Sequence, residues 1–215
     1  MTFLNISDYR LEVGKVLFPV DARVSIGGTR TCPYYLKAPH TILQYGKPLV
    51  LPRRGMVVDA GLFLAASLQR RCRGISKKRA RDHVLGLGLV LDITDGALLD
   101  KLMDSGHPGD PARNGDGFCP ISEFMPLSEI RDESVVHVYL ERNGKEVVST
   151  EVTAPMDGAS EMVSRLSGAV TLLPADIVAF RKLGWLSDLG AGEVLEGGAS
   201  QLSTISVEFR NPSEK

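Results

Sequence analysis

Gly86-Leu87-Gly88-Leu89-Val90-Leu91-Asp92-Ile93-Thr94 decides how the rest of the chain is read. Leu87 to Leu91 is an apolar run of strand length, and it ends in a carboxylate. A carboxylate at the end of a buried strand is costly unless something pairs with it. Asp92 is therefore either a substrate-facing acid or base, or a structural acceptor of backbone hydrogen bonds.

Working outward toward the N-terminus, Met56 to Leu68 is apolar but for Asp59 and predicts a strand, although its Ala-rich half also suits a helix. A basic loop from Gln69 to Gly74 follows, and Ser76 is placed to cap a short helix from Lys77 to about Leu85. Pro33 and Pro39 hold the segment around Tyr34, Tyr35, Leu36 and Lys37 extended. Ser25 to Thr31 reads as a loop, and residues 9–24 as two short strands. Toward the C-terminus the pattern predicts a helix from Asp95 to Met103. A long Gly-, Pro- and Asp-rich loop from Ser105 to Gly117 follows. Ser134 to Leu140 and Glu146 to Thr153 alternate around Asn143-Gly144, a two-residue hairpin signal. Ala159 to Ser167 has helical spacing. Val170 to Phe180 is a turn into a strand, and Ser203 to Phe209 is a final strand. Short strands dominate, so the fold class is α+β and β-rich.

The chain has 215 residues, 43% of them hydrophobic and 24% charged, with a net charge of −1. That balance gives no footing for nucleic acid, and no apolar run is long enough to span a bilayer. Met1 to Asp8 lacks the basic and apolar regions of a secretory signal. Cys32, Cys72 and Cys119 are too few and too scattered for a disulfide framework or a zinc site, which predicts reduced thiols and a cytoplasmic protein.

Several local stretches, in order, resemble the fumarylacetoacetate hydrolase family. Pro33 to Pro39 resembles its proline-bounded lysine strand. Gly86 to Thr94 resembles its "G-Y-x-x-x-N-D-x-[ST]" strand, with Asp92 on the family's aspartate. Ala112 to Ile121 resembles "A-K-x-x-D-x-F-x-P-L-G-P", with Arg113 on the lysine. Asn143-Gly144 matches an "N-G-E" hairpin. Met156 to Asp176 resembles the helix and "T-L-x-P-G-D" turn. The resemblance implies a mixed β-sandwich roll with short peripheral helices over residues 31–215, an N-terminal extension of strands over residues 1–30, and a homodimer.

The resemblance also implies a divalent magnesium or manganese ion on two glutamates and the strand-end aspartate. Here Gly61 and Phe63 fall on the two glutamate positions, so no metal is expected to bind in the family manner. Asp59 could stand in only by slipping along its strand, and an odd slip would reverse its face. The lid's histidine and glutamate have no counterpart between Val24 and Thr31. The family's "T-G-T-P-x-G" loop is replaced by Ala179-Phe180-Arg181-Lys182-Leu183-Gly184.

The expected catalytic residues are then Asp92 for proton transfer, with Lys37 and Arg113 as cations against an enolate or carboxylate. Tyr35, Phe63, His40 and Asp116 are candidates to line the substrate, although one of the alternating Tyr34 and Tyr35 faces inward and suits the core better than proton donation. Cys119 has no base beside it and reads as an inert thiol. Arg70, Arg71, Arg73, Lys77, Lys78, Arg79 and Arg81 form a basic run. It is either a solvated surface or a docking patch for an acidic carrier protein. The leading expectation is a metal-independent enzyme that isomerises, cyclises or decarboxylates a β-dicarbonyl or enol-type substrate in a specialised biosynthetic pathway. The alternatives are a non-catalytic binding or partner subunit, and a metal-dependent C–C hydrolase with ligands relocated to Asp59, Asp92 and Asp95 or Asp116.

Overall fold

The computed structural model describes residues 3–6, 9–20, 25–26, 29–30, 32–130 and 135–213. Its centre is the strand Val58–Leu68, which pairs antiparallel with Val84–Thr94 on one side and with Ile177–Leu189 on the other. The full order in this six-stranded sheet is Met125–Pro126, Val84–Thr94, Val58–Leu68, Ile177–Leu189, Val16–Pro19, Tyr34–Lys37. The two central strands carry few polar residues because both of their faces are covered. Leu62, Leu64, Ala66, Leu87, Leu89, Leu91 and Ile93 face one large core. Phe63, Ala65 and Val90 face a smaller one with Val16, Phe18, Ile42, Phe124 and Ile177.

The two ends of this sheet meet. Lys37, on the edge strand Tyr34–Lys37, sends its ammonium to the carbonyls of Ile93 at 2.5 Å and Phe118 at 2.7 Å. Tyr35, on the same strand, donates to Asp92. The sheet is thereby rolled, with the smaller core inside it. The outer face packs on the helix Pro155–Ala169 and on a five-stranded sheet. That sheet runs in the order Lys145–Thr153, Val135–Arg142, Val194–Ala199, Ile205–Arg210, Leu49–Val50.

The hairpin expected at Asn143-Gly144 is present, with both residues at positive φ, 54° and 73°, as a two-residue turn of this hand requires. Four expectations need correction. The helix from Lys77 ends at Ala80, followed by a 3-10 turn Arg81–His83, because Val84 already pairs with Leu68 in the sheet; Ser76 makes no side-chain cap. The loop from Ser105 to Gly117 contains the short helix Asp110–Arg113. Within Ser25 to Thr31, Ser25–Ile26 pairs with Thr29–Arg30. The strand Val194–Ala199 escaped notice because Gly197-Gly198 reads as a turn, yet a Cβ on Gly198 would lie 2.6 Å from the Tyr139 ring.

Within residues 1–30, Val16–Pro19 lies inside the rolled sheet between Ile177–Leu189 and Tyr34–Lys37. The three cysteines are free thiols. Among the described residues no helix is long and apolar enough to cross a membrane.

Asp176 ties the Val16–Pro19 strand into place. Its buried carboxylate accepts from Leu173 N at 2.8 Å, from Lys15 N at 3.1 Å and from the Lys15 ammonium. Asp176→Ala is expected to lower unfolding stability by about 2–3 kcal/mol, since it strands buried donors that now meet a charged acceptor. Urea denaturation measures this, and an unchanged midpoint would count against the role.

Candidate active site

The inside of the roll carries one charged cluster. Asp92 is 2% exposed and Lys37 is fully buried. Lys37 Nζ lies 2.8 Å from Asp92 Oδ1, off the line of a good hydrogen bond, so Oδ1 has no aligned donor among the described residues. Asp92 Oδ2 accepts from the Tyr35 hydroxyl. The rings of Phe18 and Phe118 stand 5.9 and 6.0 Å from the ammonium. Phe18 stacks on Tyr35 at 5.4 Å and meets Phe63 edge-on at 5.2 Å. On the other side of Tyr35, the Arg113 guanidinium sits 4.2 Å from the ring centroid, held there by the short helix Asp110–Arg113.

Strand register explains the grouping. Tyr35 opposes Phe18, and Lys37 opposes Val16, so all four share a face. Asp92 opposes Gly61, which opposes Trp185 on the next strand. A Cβ on Gly61 would fall 2.9 Å from Trp185 Cε3 and 3.0 Å from Phe63 Cε2. The room that Gly61 leaves is thus filled by these rings. Nothing in the sequence placed Trp185 at this site, because a register running through several bulges cannot be read from a pattern.

The other expected residues lie elsewhere. His40 is exposed, with Nε2 3.0 Å from the Asn114 carbonyl, and Asp116 is exposed; neither bonds to Tyr35, Lys37 or Asp92. Lys37 faces no open space: two of its N–H donors meet the carbonyls of Ile93 and Phe118, and its ammonium stands 2.8 Å from Asp92 Oδ1. Lys37 thus meets backbone carbonyls and Asp92 here, not the open cleft expected for contact with a substrate enolate. The basic run Arg70–Arg81 is exposed at the Leu68–Val84 end of the central strand pair. That is roughly 25 Å from Asp92 at ~3.3 Å per residue.

Burial, and then the neighbouring Asp92 charge, holds the Tyr35 phenol well above its ordinary range, so it stays a proton donor at neutral pH. Burial pushes the Cys119 thiol up to about 12, which suits an inert thiol.

The donor set does not fit a hard divalent cation. Such an ion takes clustered oxygen ligands. Here Asp92 looks across at Gly61 and its unaligned oxygen faces an ammonium. Asp95 caps the helix Gly96–Asp104 through Leu98 N at 3.0 Å and meets Arg53 at 3.3 Å. Among the described residues no three His, Cys, Asp or Glu side chains gather as ligands.

The fumarylacetoacetate (FAA) hydrolase C-terminal family matches residues 6–205. A mitochondrial oxaloacetate tautomerase of Bos taurus is 28% identical over 144 residues, 67% of this chain and 65% of that enzyme. A 4-hydroxyphenylacetate degradation bifunctional isomerase/decarboxylase of Salmonella dublin is 25% identical over 69% of this chain and 33% of its own. The chain thus spans less than two thirds of the length of either relative. The crystal structure of a Pseudomonas aeruginosa fumarylpyruvate hydrolase, in complex with Mn²⁺ and pyruvate, superposes with a TM-score of 0.82. It covers 98% of this chain and 96% of that one at 21% identity.

Two outcomes follow from the cluster. Asp92→Leu and Lys37→Met each leave a buried charge unpaired and should each cost about 3–5 kcal/mol, while the two together should cost less than either single change. Chemical denaturation of the three variants decides this, and simple additivity would argue against a coupled pair. Separately, thiols raised in the folded state bind protons more tightly there than in the unfolded chain. Stability should then be constant below the unfolded thiol range and fall as pH rises above about 8.5. Cys119→Ala should flatten that fall in denaturation midpoints taken from pH 7 to 10.

Proposed function

Because the chain belongs to the fumarylacetoacetate hydrolase family, we propose that it is an enzyme that moves a proton on an enolisable carbonyl compound, by isomerisation or decarboxylation, without a divalent cation. Its relatives include an oxaloacetate tautomerase and an isomerase/decarboxylase, which supports the reaction class. The observation that carries the reading is the Tyr35–Asp92–Lys37 chain. Tyr35 is its one partly exposed member and is held protonated beside a carboxylate.

The chemistry divides among these residues. Arg113, stacked on Tyr35, binds a substrate carboxylate with its planar fork. The proton leaving the substrate carbon passes to the phenol oxygen as the phenol proton moves to Asp92. Return of a proton to a different atom of the enolate completes an isomerisation. In a decarboxylation only the second half is used, since loss of CO₂ itself leaves the enolate to be protonated. Lys37 holds Asp92 in place. Phe63 and Phe18 keep the interior dry, which strengthens each charge interaction.

A specific observation favours a second reading. Asp92 and Lys37 are closed over by side chains, as a non-catalytic binding subunit would have them. Oxaloacetate, the substrate in the bovine relative's name, separates the two when incubated in deuterated water with chelator. Exchange of its C3 protons, followed by proton NMR, is the expected result. Tyr35→Phe should slow it about 100-fold or more, the range of general acid–base catalysis. Exchange seen only with added Mg²⁺ or Mn²⁺ would overturn the metal-free mechanism. Binding without exchange would replace the enzyme by the binding subunit.

A further inference from the structure

The replaced stretch Ala179 to Gly184 belongs to the bulged strand Ile177–Leu189, and its register puts two unassigned side chains beside Asp92. Lys182 opposes Phe63 and Trp185 opposes Gly61, both on the face from which Asp92 projects. Two strand spacings separate Trp185 from Asp92, roughly 10 Å between backbones, with no side chain on the strand between. The six-membered ring of the indole lies over Gly61. Trp185 is nevertheless 41% exposed, which is unusual for so large an apolar group and places it at the rim of the roll. The Lys182 ammonium stands 4.5 Å from its ring and fixes it there by a cation–π contact.

We propose that Trp185 is the specificity-determining residue of this site and selects an enolisable 2-oxo acid bearing an aromatic or conjugated apolar group. The inference rests on the proton-transfer reading above. Where carboxylate side chains would make this flank polar, Gly61, Phe63 and Trp185 make it aromatic. Arg113 then takes the 2-oxo acid's carboxylate on the Tyr35 side, and the apolar group lies along the exposed Trp185 ring. A second carboxylate on that flank would be desolvated against rings without a partner.

Trp185 is the only tryptophan in the chain, so intrinsic fluorescence reports on this position alone. Phenylpyruvate and oxaloacetate are the probes, titrated by calorimetry and by Trp185 emission into the full-length protein. Phenylpyruvate is expected to bind at least about tenfold more tightly and to shift the emission, consistent with one aromatic contact. Trp185→Ala should abolish that preference while changing oxaloacetate affinity less than about threefold, and Trp185→Phe should keep most of it. Equal affinities in the unaltered protein, a preference that survives Trp185→Ala, or no binding of either acid would overturn the proposal. Solvent exchange of the C3 protons is followed in parallel. Exchange of oxaloacetate without any preference sinks this inference and leaves the reaction class standing. Preference without exchange sinks the reaction class and leaves the aromatic subsite.

Discussion

A buried lysine closes this fold. Sheets end in edges with unpaired backbone groups, and the strand Tyr34–Lys37 is such an edge. Lys37 joins it to the far side of its own sheet by giving its N–H groups to Ile93 and Phe118 carbonyls. Asp92 supplies the countercharge at 2.8 Å, and Tyr35 ties the same carboxylate to the same edge strand. An ammonium without these partners would not survive full burial. The roll, the dry interior and the location of the cluster therefore stand or fall together. The arrangement also explains why the structural and chemical roles of Asp92 are hard to separate: its carboxylate closes the sheet and backs Tyr35 at once.

What the interior lacks matters as much. On the face beside Asp92 the neighbouring strand offers Gly61 and then Phe63, and the next strand leans Trp185 across the gap. Positive charge reaches Asp92 from a side chain, and the space beyond is filled by rings. Each substitution makes the others tolerable. A bare glycine there would leave a void, and voids in a core are destabilising. A carboxylate returned to the Gly61 position would have to displace the indole.

Much of this was legible beforehand. The continuous apolar runs Val58–Leu68 and Val84–Thr94 announced strands buried on both faces, and Asn143-Gly144 announced its hairpin. The strand-end carboxylate was legible because charge in an apolar run demands a partner. Lys37 was legible as important but not in its role, because a lysine that solvates backbone carbonyls looks the same in sequence as one that faces a ligand. His40 lies in the 3-10 turn Pro39–Thr41 and Asp116 in a turn after the helix Asp110–Arg113, and the direction a turn gives its side chains does not show in a sequence pattern. Trp185 was illegible for a physical reason: its strand shifts register at three places before or beyond it, and each bulge resets which face the next residue takes.

Arg113 shows how one exchange constrains its surroundings. Its guanidinium carbon sits 4.2 Å from the centre of the Tyr35 ring, a contact that a planar cation makes well and an ammonium on a flexible stem makes less well. The ring it covers is stacked on its other side by Phe18, so Tyr35 is clamped between a cation and an aromatic core. A phenol fixed in that way can hold one hydrogen bond, to Asp92, without searching for others. Preorganisation of this kind lowers the cost of proton transfer because little has to move when charge develops. It also means that the choice of arginine is coupled to the choice of tyrosine: the cation that would bind a substrate carboxylate is the one that holds the proton donor still.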